Sequence, residues 1–377
     1  MTGRPLRIGI ACWPTFGGSG AVATELGIAL ADHGHEVHFI TYAPPFRLDT
    51  LRRDITFHRV SVSAYPLFRY PPYDLALASR LAEVSEDVGL DLLHVHYAIP
   101  HAVAAKLARD LLGGAGPRIV LTLHGTDITV VGTDPAYRRT TRYGIDNADG
   151  VTAVSKWLVD ETIGVFGTER PVKVIPNFVD LERFRPGRDE GVRQRLAKDG
   201  EALLVHVSNF RPVKRVGDVV RLFAKVRKAH PARLVLVGDG PERSAAEEEA
   251  RRLGVARDVT FLGERTEIEC LLAAADLFLL PSESESFGLA ALEAMASGVP
   301  VIGTRTGGLP ELVEHGVSGH LCTVGDTDCM AAFALSLLGD PARHTAFREA
   351  ARTRASAFGR AEIVAQYEAL YGKVLGG

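Results

Sequence analysis

The feature that most constrains this chain is a short apolar run followed by an amphipathic segment, repeated along nearly its whole length. Alternation of this kind predicts parallel sheets with helices on both faces, in which functional residues gather at the carboxyl ends of the strands. The expected strands are residues 6–12, 35–43, 55–62, 92–96, 119–123 and 151–154, and then 203–207, 234–237, 259–262, 277–280 and 301–303.

The length of 377 residues predicts two domains, since a domain holds roughly 150 residues. The segment 172–186, VKVIPNFVDLERFRP, carries a strand, then Pro and Asn, then a polar turn that opens a new alternating pattern, and it is the best linker candidate. We therefore expect domains at 1–177 and 178–358 that face each other across a cleft. The apolar side of a helix within 359–377 should pack back toward the first domain.

Composition limits the class of protein. The net charge of -3 gives no basic footprint for nucleic acid, and the opening residues pass straight into a strand without the apolar core of a signal peptide. We expect a cytoplasmic protein without a membrane partner; a homo-oligomer is compatible with the sequence. The thirteen histidines form no HExxH pattern. The cysteines lack CxxC spacing and are expected to be buried small hydrophobes: Cys12, Cys270, Cys322 and Cys329.

In the first half, polar residues follow the expected strands. PTFGGSG (14–20) is a glycine-rich turn, which either faces a ligand or is simply tight, and it lacks the GxGxxG spacing of a dinucleotide site. Tyr97 and His101 follow one strand, HGTD (124–127) follows the next, and Ser155 with Lys156 follows the third. His94 and His96 alternate with apolar neighbours, as core or supporting histidines do. His124 is either a ligand contact or a structural imidazole.

In the second half, the stretch PSESESFGLAALEAMASGVP (281–300) predicts a turn and then a helix at 287–296, just beyond a strand. Glu285 and Glu293 should lie at most about 12 Å apart, since eight helical steps rise 1.5 Å each. A separation of about 12 Å, the value for a fully helical segment, exceeds the roughly 5–9.5 Å between the two carboxylates of a glycosidase. Such a separation suits residues that hold the two ends of one elongated ligand. The alternative is a solvated turn glutamate and a helix-capping glutamate.

Three further turns of the second half follow expected strands. SNFRPVKR (208–215) places Arg211, Lys214 and Arg215 where they could clamp a diphosphate, or else begins a basic surface helix. VGDGPER (237–243) and GTRTGGLPELV (303–313) supply glycine turns, the latter with Gly307 and Gly308.

Taken in order, GGSG, RPVKR, VGDGP and ESFGLAALEAMASGVPVIGTRTGGLPELV resemble family 4 retaining glycosyltransferases of the GT-B type, which have two Rossmann-like domains. The stretches CWPTFGGSGAVATELG, RYPPYDLALAS, HVHYAIPHA, LTLHGTDIT and HVSNFRPVKRV are similar to the members that begin bacillithiol biosynthesis. That resemblance implies transfer of N-acetylglucosamine from UDP-N-acetylglucosamine to the hydroxyl of L-malate, with alpha configuration retained, and neither a metal nor another cofactor.

The resemblance also implies roles for individual residues. The catalytic residues would be Glu285, His124, Arg211 and Lys214. Donor binding would involve Gly18, Ser208, Arg211, Lys214, Gly238, Glu285, Ser286, Phe287, Gly288, Leu289 and Glu293. Acceptor binding would involve Ser19, Tyr97, Thr126 and Arg142. Two alternatives stay open: a family 4 enzyme with another acceptor, such as an inositol phosphate or a lipid-linked sugar, and a non-catalytic nucleotide-sugar sensor.

Overall fold

The computed structural model describes residues 4–48, 52–63, 66–187 and 190–376, excluding the side chain of Glu190. The chain divides into two compact units. The first comprises the chain up to Pro176 together with the segment that starts at Ala361, and the second is Asn177–Arg360.

The first unit is built on a parallel sheet in which seven strands are described, in the order β3-β2-β1-β4-β5-β6-β7. Its strands are β1 Arg7–Ala11, β2 Glu36–Thr41, β3 Ile55–Arg59, β4 Leu92–His96, β5 Arg118–Leu123, β6 Gly150–Ala153 and β7 Val172–Val174. Its helices are α1 Gly18–Asp32, α2 Tyr73–Val88, α3 Val103–Leu111, α4 Thr126–Thr129, α5 Arg138–Asp146, α6 Lys156–Phe166 and, from the chain's end, α15 Arg360–Val374.

The second unit is built on a parallel sheet with six described strands, in the order β10-β9-β8-β11-β12-β13. These are β8 Ala202–Val207, β9 Ala232–Val237, β10 Val259–Gly263, β11 Leu277–Leu280, β12 Val301–Thr304 and β13 Gly319–Cys322. The helices are α7 Glu190–Leu196, α8 Val216–Ala229, α9 Arg243–Arg252, α10 Glu269–Ala274, α11 Leu289–Ala296, α12 Leu309–Leu312, α13 Thr327–Leu338 and α14 Pro341–Ser356.

The predicted fold class of two Rossmann-like parallel-sheet domains is confirmed. The sheets have apolar cores because β4, β8 and β11 are buried along their whole length. In each sheet the order in which successive strands are added reverses between two central parallel strands, β1 and β4 in the first and β8 and β11 in the second. Ligands of open parallel sheets bind beyond the carboxyl ends of the strands at such a reversal.

The start of α1 differs from the sequence prediction. We expected the helix from about Ala21, but it begins at Gly18, so Gly18 and Ser19 lie in its first turn. The turn packs tightly against the preceding loop, since a Cβ atom on Gly20 would lie 2.7 Å from the carbonyl oxygen of Trp13. The small residues at this position therefore form the first turn of the helix instead of preventing helix formation.

The prediction of four buried cysteines is wrong. Cys12 is buried, whereas Cys270 is exposed because the buried side of α10 is formed by Leu271 and its neighbours. Cys322 and Cys329 form a disulfide with Cα atoms 6.2 Å apart, within the usual range. Cys322 ends β13, a strand absent from our prediction, and without that strand no sequence pattern indicates a pairing with a residue of α13.

Among the described residues, no helix is long and apolar enough to cross a membrane.

Candidate active site

The site in the second unit is organised around an ion pair between two loops. The ammonium of Lys214, beyond β8, lies 2.7 Å from Oε1 of Glu285, beyond β11. The hydroxyl of Ser282 donates to the same oxygen over 2.8 Å. The loops lie beside each other because β8 and β11 are neighbours at the reversal of the sheet. The structure thus unites Lys214 and Glu285, which the sequence singled out separately.

The two glutamates are buried, at 8% exposure for Glu285 and 4% for Glu293. A solvated turn glutamate is therefore excluded. Glu293 lies inside the helix α11, whose N-cap residue is Gly288, so it is not a capping glutamate either. The helix α11 begins at Leu289, later than predicted, because Gly288 before it adopts a left-handed conformation with φ of 95°. Phe287 is buried and packs edge-on against Phe358. The first N–H groups of α11, which have no partner within the helix, consequently lie beyond the end of β11, where they can bind an anionic or hydroxyl group.

Glycines let the surrounding loops approach the ion pair. A Cβ atom on Gly307 would lie 2.0 Å from the carbonyl oxygen of Glu285, and the N–H of Gly308 donates to that oxygen over 2.7 Å. On the other side, a Cβ atom on Gly238 would lie 1.7 Å from the carbonyl oxygen of Ser208. Any side chain at these positions would displace the loops that carry Glu285 and Ser208.

His206 contributes to the site and was missed by the sequence analysis. It is buried in β8, with Nδ1 2.8 Å from the carbonyl oxygen of Leu279 and Nε2 2.7 Å from the hydroxyl of Ser208. Burial, assisted by nearby Lys214, lowers the pKa of His206 to about 4, so the ring is neutral. Since a carbonyl oxygen only accepts, Nδ1 carries the hydrogen and Nε2 accepts from Ser208. A histidine inside an otherwise apolar strand, VHVSN, was the available signal.

The three predicted clamp cations differ in their surroundings. Arg211 is exposed, and within the described ranges no hydrogen bond or ion pair holds its guanidinium. Lys214 is held by Glu285, as described above. Arg215 instead pairs with the buried carboxylate of Asp218 over 2.6 Å, so it supports the start of α8. The arrangement favours Arg211 and Lys214 over Arg215 as ligand contacts.

The site in the first unit lies beyond β1, β4 and β5. The ring of Tyr97 lies nearly parallel to that of His124, with centroids 5.6 Å apart. Tyr97 has φ of 87°, a strained conformation for a bulky side chain that is found mostly at functional sites. Nε2 of His124 lies 2.9 Å from Nδ1 of His96. Burial lowers the pKa of His124 to about 3, so its ring is neutral.

Asp127 holds the turn that carries His124 and Thr126. Its buried carboxylate accepts hydrogen bonds from the N–H groups of Ala98, His124 and Gly125, at 3.1, 3.2 and 2.8 Å. Burial raises the pKa of Asp127 to about 6, while the backbone donors act against that rise. Because Ala98 follows β4 and Gly125 follows β5, one side chain ties the two loops together. Asp127 belongs to the HGTD turn, but its position in the sequence does not indicate this role.

The basic candidates of the first unit are exposed. Arg142 lies on α5 with 53% of its side chain exposed, and its Nε donates to Asp146 over 3.2 Å. Lys156 pairs with Asp160 at the start of α6, and the guanidinium of Arg69 lies over the ring of Tyr70. Ser19 and Thr126 are half-buried in the first turns of α1 and α4.

Among the described residues, no group of three or more His, Cys, Asp or Glu side chains is placed to hold a metal ion.

Comparison with known proteins gives the class of protein. Residues 16–183 match the family described as Glycosyltransferase Family 4, and residues 188–354 match the family described as Glycosyl transferases group 1. The structure of Anabaena Alr3699/HepE, solved in complex with UDP-glucose, superposes with a TM-score of 0.83, at 23% identity, over 97% of this chain and 99% of that one. The chain is a glycosyltransferase of the GT-B fold, which uses a sugar-nucleotide donor and an acceptor.

Curated relatives narrow the assignment. The chain is 50% identical over 373 residues to N-acetyl-alpha-D-glucosaminyl L-malate synthase of Bacillus anthracis, covering 98% of this chain and 97% of that protein. It is 31% identical to D-inositol 3-phosphate glycosyltransferase 2 of Catenulispora acidiphila, covering 95% and 90% respectively. The chain belongs to glycosyltransferase family 4.

Proposed function

We propose that this glycosyltransferase moves N-acetylglucosamine from UDP-N-acetylglucosamine to the hydroxyl of L-malate, retaining the alpha configuration of the sugar. The observation that carries the proposal is the 50% identity, over nearly the full length of both chains, with the Bacillus anthracis protein whose name states this product. The proposed reaction is the first step of bacillithiol biosynthesis. It takes place in the cytoplasm.

On the donor side, Arg211 and Lys214 neutralise the charge that develops on the leaving diphosphate. Preorganised cations are the strongest single contribution of many active sites. Glu285 and the N–H groups at 287–289 hold the sugar and diphosphate, and Glu293 accepts hydrogen bonds from the ribose. The Lys214–Glu285 pair, in which Lys214 is half-buried and Glu285 buried, supports this assignment, because it places a cation ready at a strand end. No metal takes part, so turnover persists in excess EDTA, and activity restored by magnesium would contradict that.

On the acceptor side, malate brings two carboxylates that need cationic or N–H partners. The N–H groups in the first turn of α1, at Gly18 and Ser19, supply such partners. Tyr97 and Thr126 donate hydroxyl hydrogen bonds, and Arg142 supplies positive charge. The departing phosphate oxygen takes the proton of the malate hydroxyl on the same face of the sugar, so no protein side chain acts as base.

The test is UDP release from UDP-N-acetylglucosamine, with L-malate, with inositol 3-phosphate, and without acceptor. We expect release that depends on L-malate. Release with inositol 3-phosphate alone would assign the reaction named for the 31% identical relative. Donor binding without release under any condition would assign a sensor. A lipid-linked acceptor is disfavoured, since α1 carries Glu25 and Asp32 but no lysine or arginine for a membrane surface.

A further inference from the structure

One face of the first sheet carries a row of polar side chains in an otherwise apolar core. His94 and His96 lie two residues apart in β4, and Thr122 in β5 is in register with His96 and with Thr152 of β6. Residues two apart in a strand and residues in register share a face of the sheet. His124 follows Thr122 by two residues and continues the row at the carboxyl edge.

Helix α15 closes this face with buried tyrosines. The hydroxyl of Tyr371 lies 2.7 Å from Nδ1 of His94, and Nε2 of His94 lies 2.7 Å from the hydroxyl of Thr122. The hydroxyls of Thr122 and Thr152 are also 2.7 Å apart. With both nitrogens engaged, the ring of His94 has a single orientation.

His96 lies between the fixed ring of His94 and the ring of His124. The rings of His94 and His96 are near-parallel, with centroids 4.5 Å apart, and the rings of His96 and His124 have centroids 5.1 Å apart. Nδ1 of His96 lies 2.9 Å from Nε2 of His124. His94 and His96 are fully buried, whereas His124 is partly exposed. Of the three rings, His124 is therefore the one that can meet a ligand.

The remaining nitrogen of His96 indicates where the shared hydrogen lies. Burial lowers the pKa of His124 to about 3 and that of His96 well below its usual value, so both rings are neutral. Nε2 of His96 is buried and has no hydrogen-bond partner among the described residues. A buried N–H without an acceptor is rarer than an unpaired acceptor. The hydrogen of His96 therefore lies on Nδ1 and is donated to Nε2 of His124.

We propose that His96 is a positioning residue for the transfer reaction: its hydrogen bond fixes the ring of His124 and makes Nδ1 of His124 a donor to an oxygen of the bound sugar. This rests on the proposed function and on the catalytic role that the family resemblance implies for His124, which we take to be contact with the transferred N-acetylglucosamine. The ring of His94 packs against the ring of His96, and Tyr371 of α15 is hydrogen-bonded to His94. The contacts that fix these rings therefore run from α15 to His124.

The first test reads the tautomer directly, without turnover. The full chain is labelled with nitrogen-15 histidine, and long-range nitrogen–proton correlations are recorded, with the His124 signals assigned by their loss in His124→Asn. We expect His124 protonated on Nδ1 in the wild type, and loss of that single tautomer in His96→Leu. Protonation on Nε2 in the wild type, or an unchanged His124 in His96→Leu, would overturn the proposal.

The second test is kinetic. His96→Leu should lower kcat by roughly 10- to 100-fold, taking as the scale the losses found when hydrogen-bond partners of metal-binding histidines are removed, with little change in donor KM. His96→Asn keeps an amide donor near the Nδ1 position and should recover most of the loss. The matched control is His38→Asn, a buried histidine of β2 bonded to His58, which should keep wild-type kcat.

Equal losses in His96→Leu, His96→Asn and His38→Asn would show a purely structural role and contradict the positioning proposal. A wild-type chain that forms no sugar conjugate would instead contradict the proposed function. In that case the tautomer measurement still decides whether His96 donates to His124.

Discussion

Lys214 and Glu285 lie 71 positions apart in the chain and meet with their charged atoms 2.7 Å apart. Each follows one of the two central strands, β8 and β11, between which the strand order of the second sheet reverses. The pair therefore lies where open parallel sheets bind their ligands. A carboxylate that holds a lysine in place without a bound ligand keeps the cation ready for a diphosphate. The pair also explains why the segment 281–300 carries a buried glutamate directly after its strand.

Replacing Lys214 should therefore impair the chemical step. Lys214→Ala is expected to lower kcat on the order of 100-fold or more, the scale for loss of one preorganised charge-stabilising group. The matched control is Arg215→Ala, which removes the neighbouring cation that pairs with Asp218. Steady-state kinetics of the two variants test this expectation. An equal fall in kcat in both variants would refute a specific role for Lys214.

The close approach at Gly307 predicts a second, steric sensitivity. Gly307→Ala would place a Cβ atom 2.0 Å from the carbonyl oxygen of Glu285 at φ of 58°. Gly316→Ala is the matched control, since Gly316 also has positive φ but open space around its Cβ position. Both variants carry a left-handed strain of roughly 1–2 kcal/mol, but only Gly307→Ala displaces Glu285. Activity should fall in Gly307→Ala and persist in Gly316→Ala; an active Gly307→Ala enzyme would show that the loop tolerates displacement.

Much of this architecture is predictable from sequence because periodicity and turn residues are local signals. The strand–helix alternation gives the two parallel sheets, and Gly238 and Gly307 mark turns whose tightness the structure confirms. The pairing of Lys214 with Glu285 is not local, since it depends on which strands become neighbours. The sequence names both residues but gives no distance between them.

The missed features have a similar cause. His206 looks like a core histidine until Leu279 and Ser208 are seen at its two nitrogens. The strand β13 has four residues and begins at a glycine, which offers little strand propensity. Without β13, the disulfide that joins its last residue to α13 could not be inferred.

The buried histidines of the first unit predict acid sensitivity. The pKa values of His94 and His101, which are fully buried, are lowered from 6.5 to about 3 by burial, so as pH falls the unfolded chain takes up protons before the folded chain does. Folded stability is therefore complete above about pH 6.5 and is lost progressively toward pH 3, by up to roughly 1.4 kcal/mol per pH unit for each histidine. Denaturant unfolding measured from about pH 7 to pH 5 checks this. Constant stability over that range would contradict the buried, neutral state of these rings.

The acceptor assignment predicts a change in KM rather than in donor affinity. Arg142→Ala should weaken malate binding by roughly 1.5–3 kcal/mol, as expected for a lost hydrogen bond to a charged group, with donor binding nearly unchanged. Arg139→Ala, which alters another exposed arginine of α5, is the control for a general loss of positive charge. Wild-type malate kinetics in Arg142→Ala would refute the assignment and direct attention to Arg69 or Lys156.

Proton NMR of the product formed from UDP-N-acetylglucosamine and L-malate in the presence of EDTA tests the proposed transfer reaction most directly. We expect one conjugate, with N-acetylglucosamine attached through an alpha linkage to the malate hydroxyl. A beta linkage would contradict retention, and the absence of any sugar–malate conjugate despite a folded chain that binds UDP would contradict the proposed reaction itself.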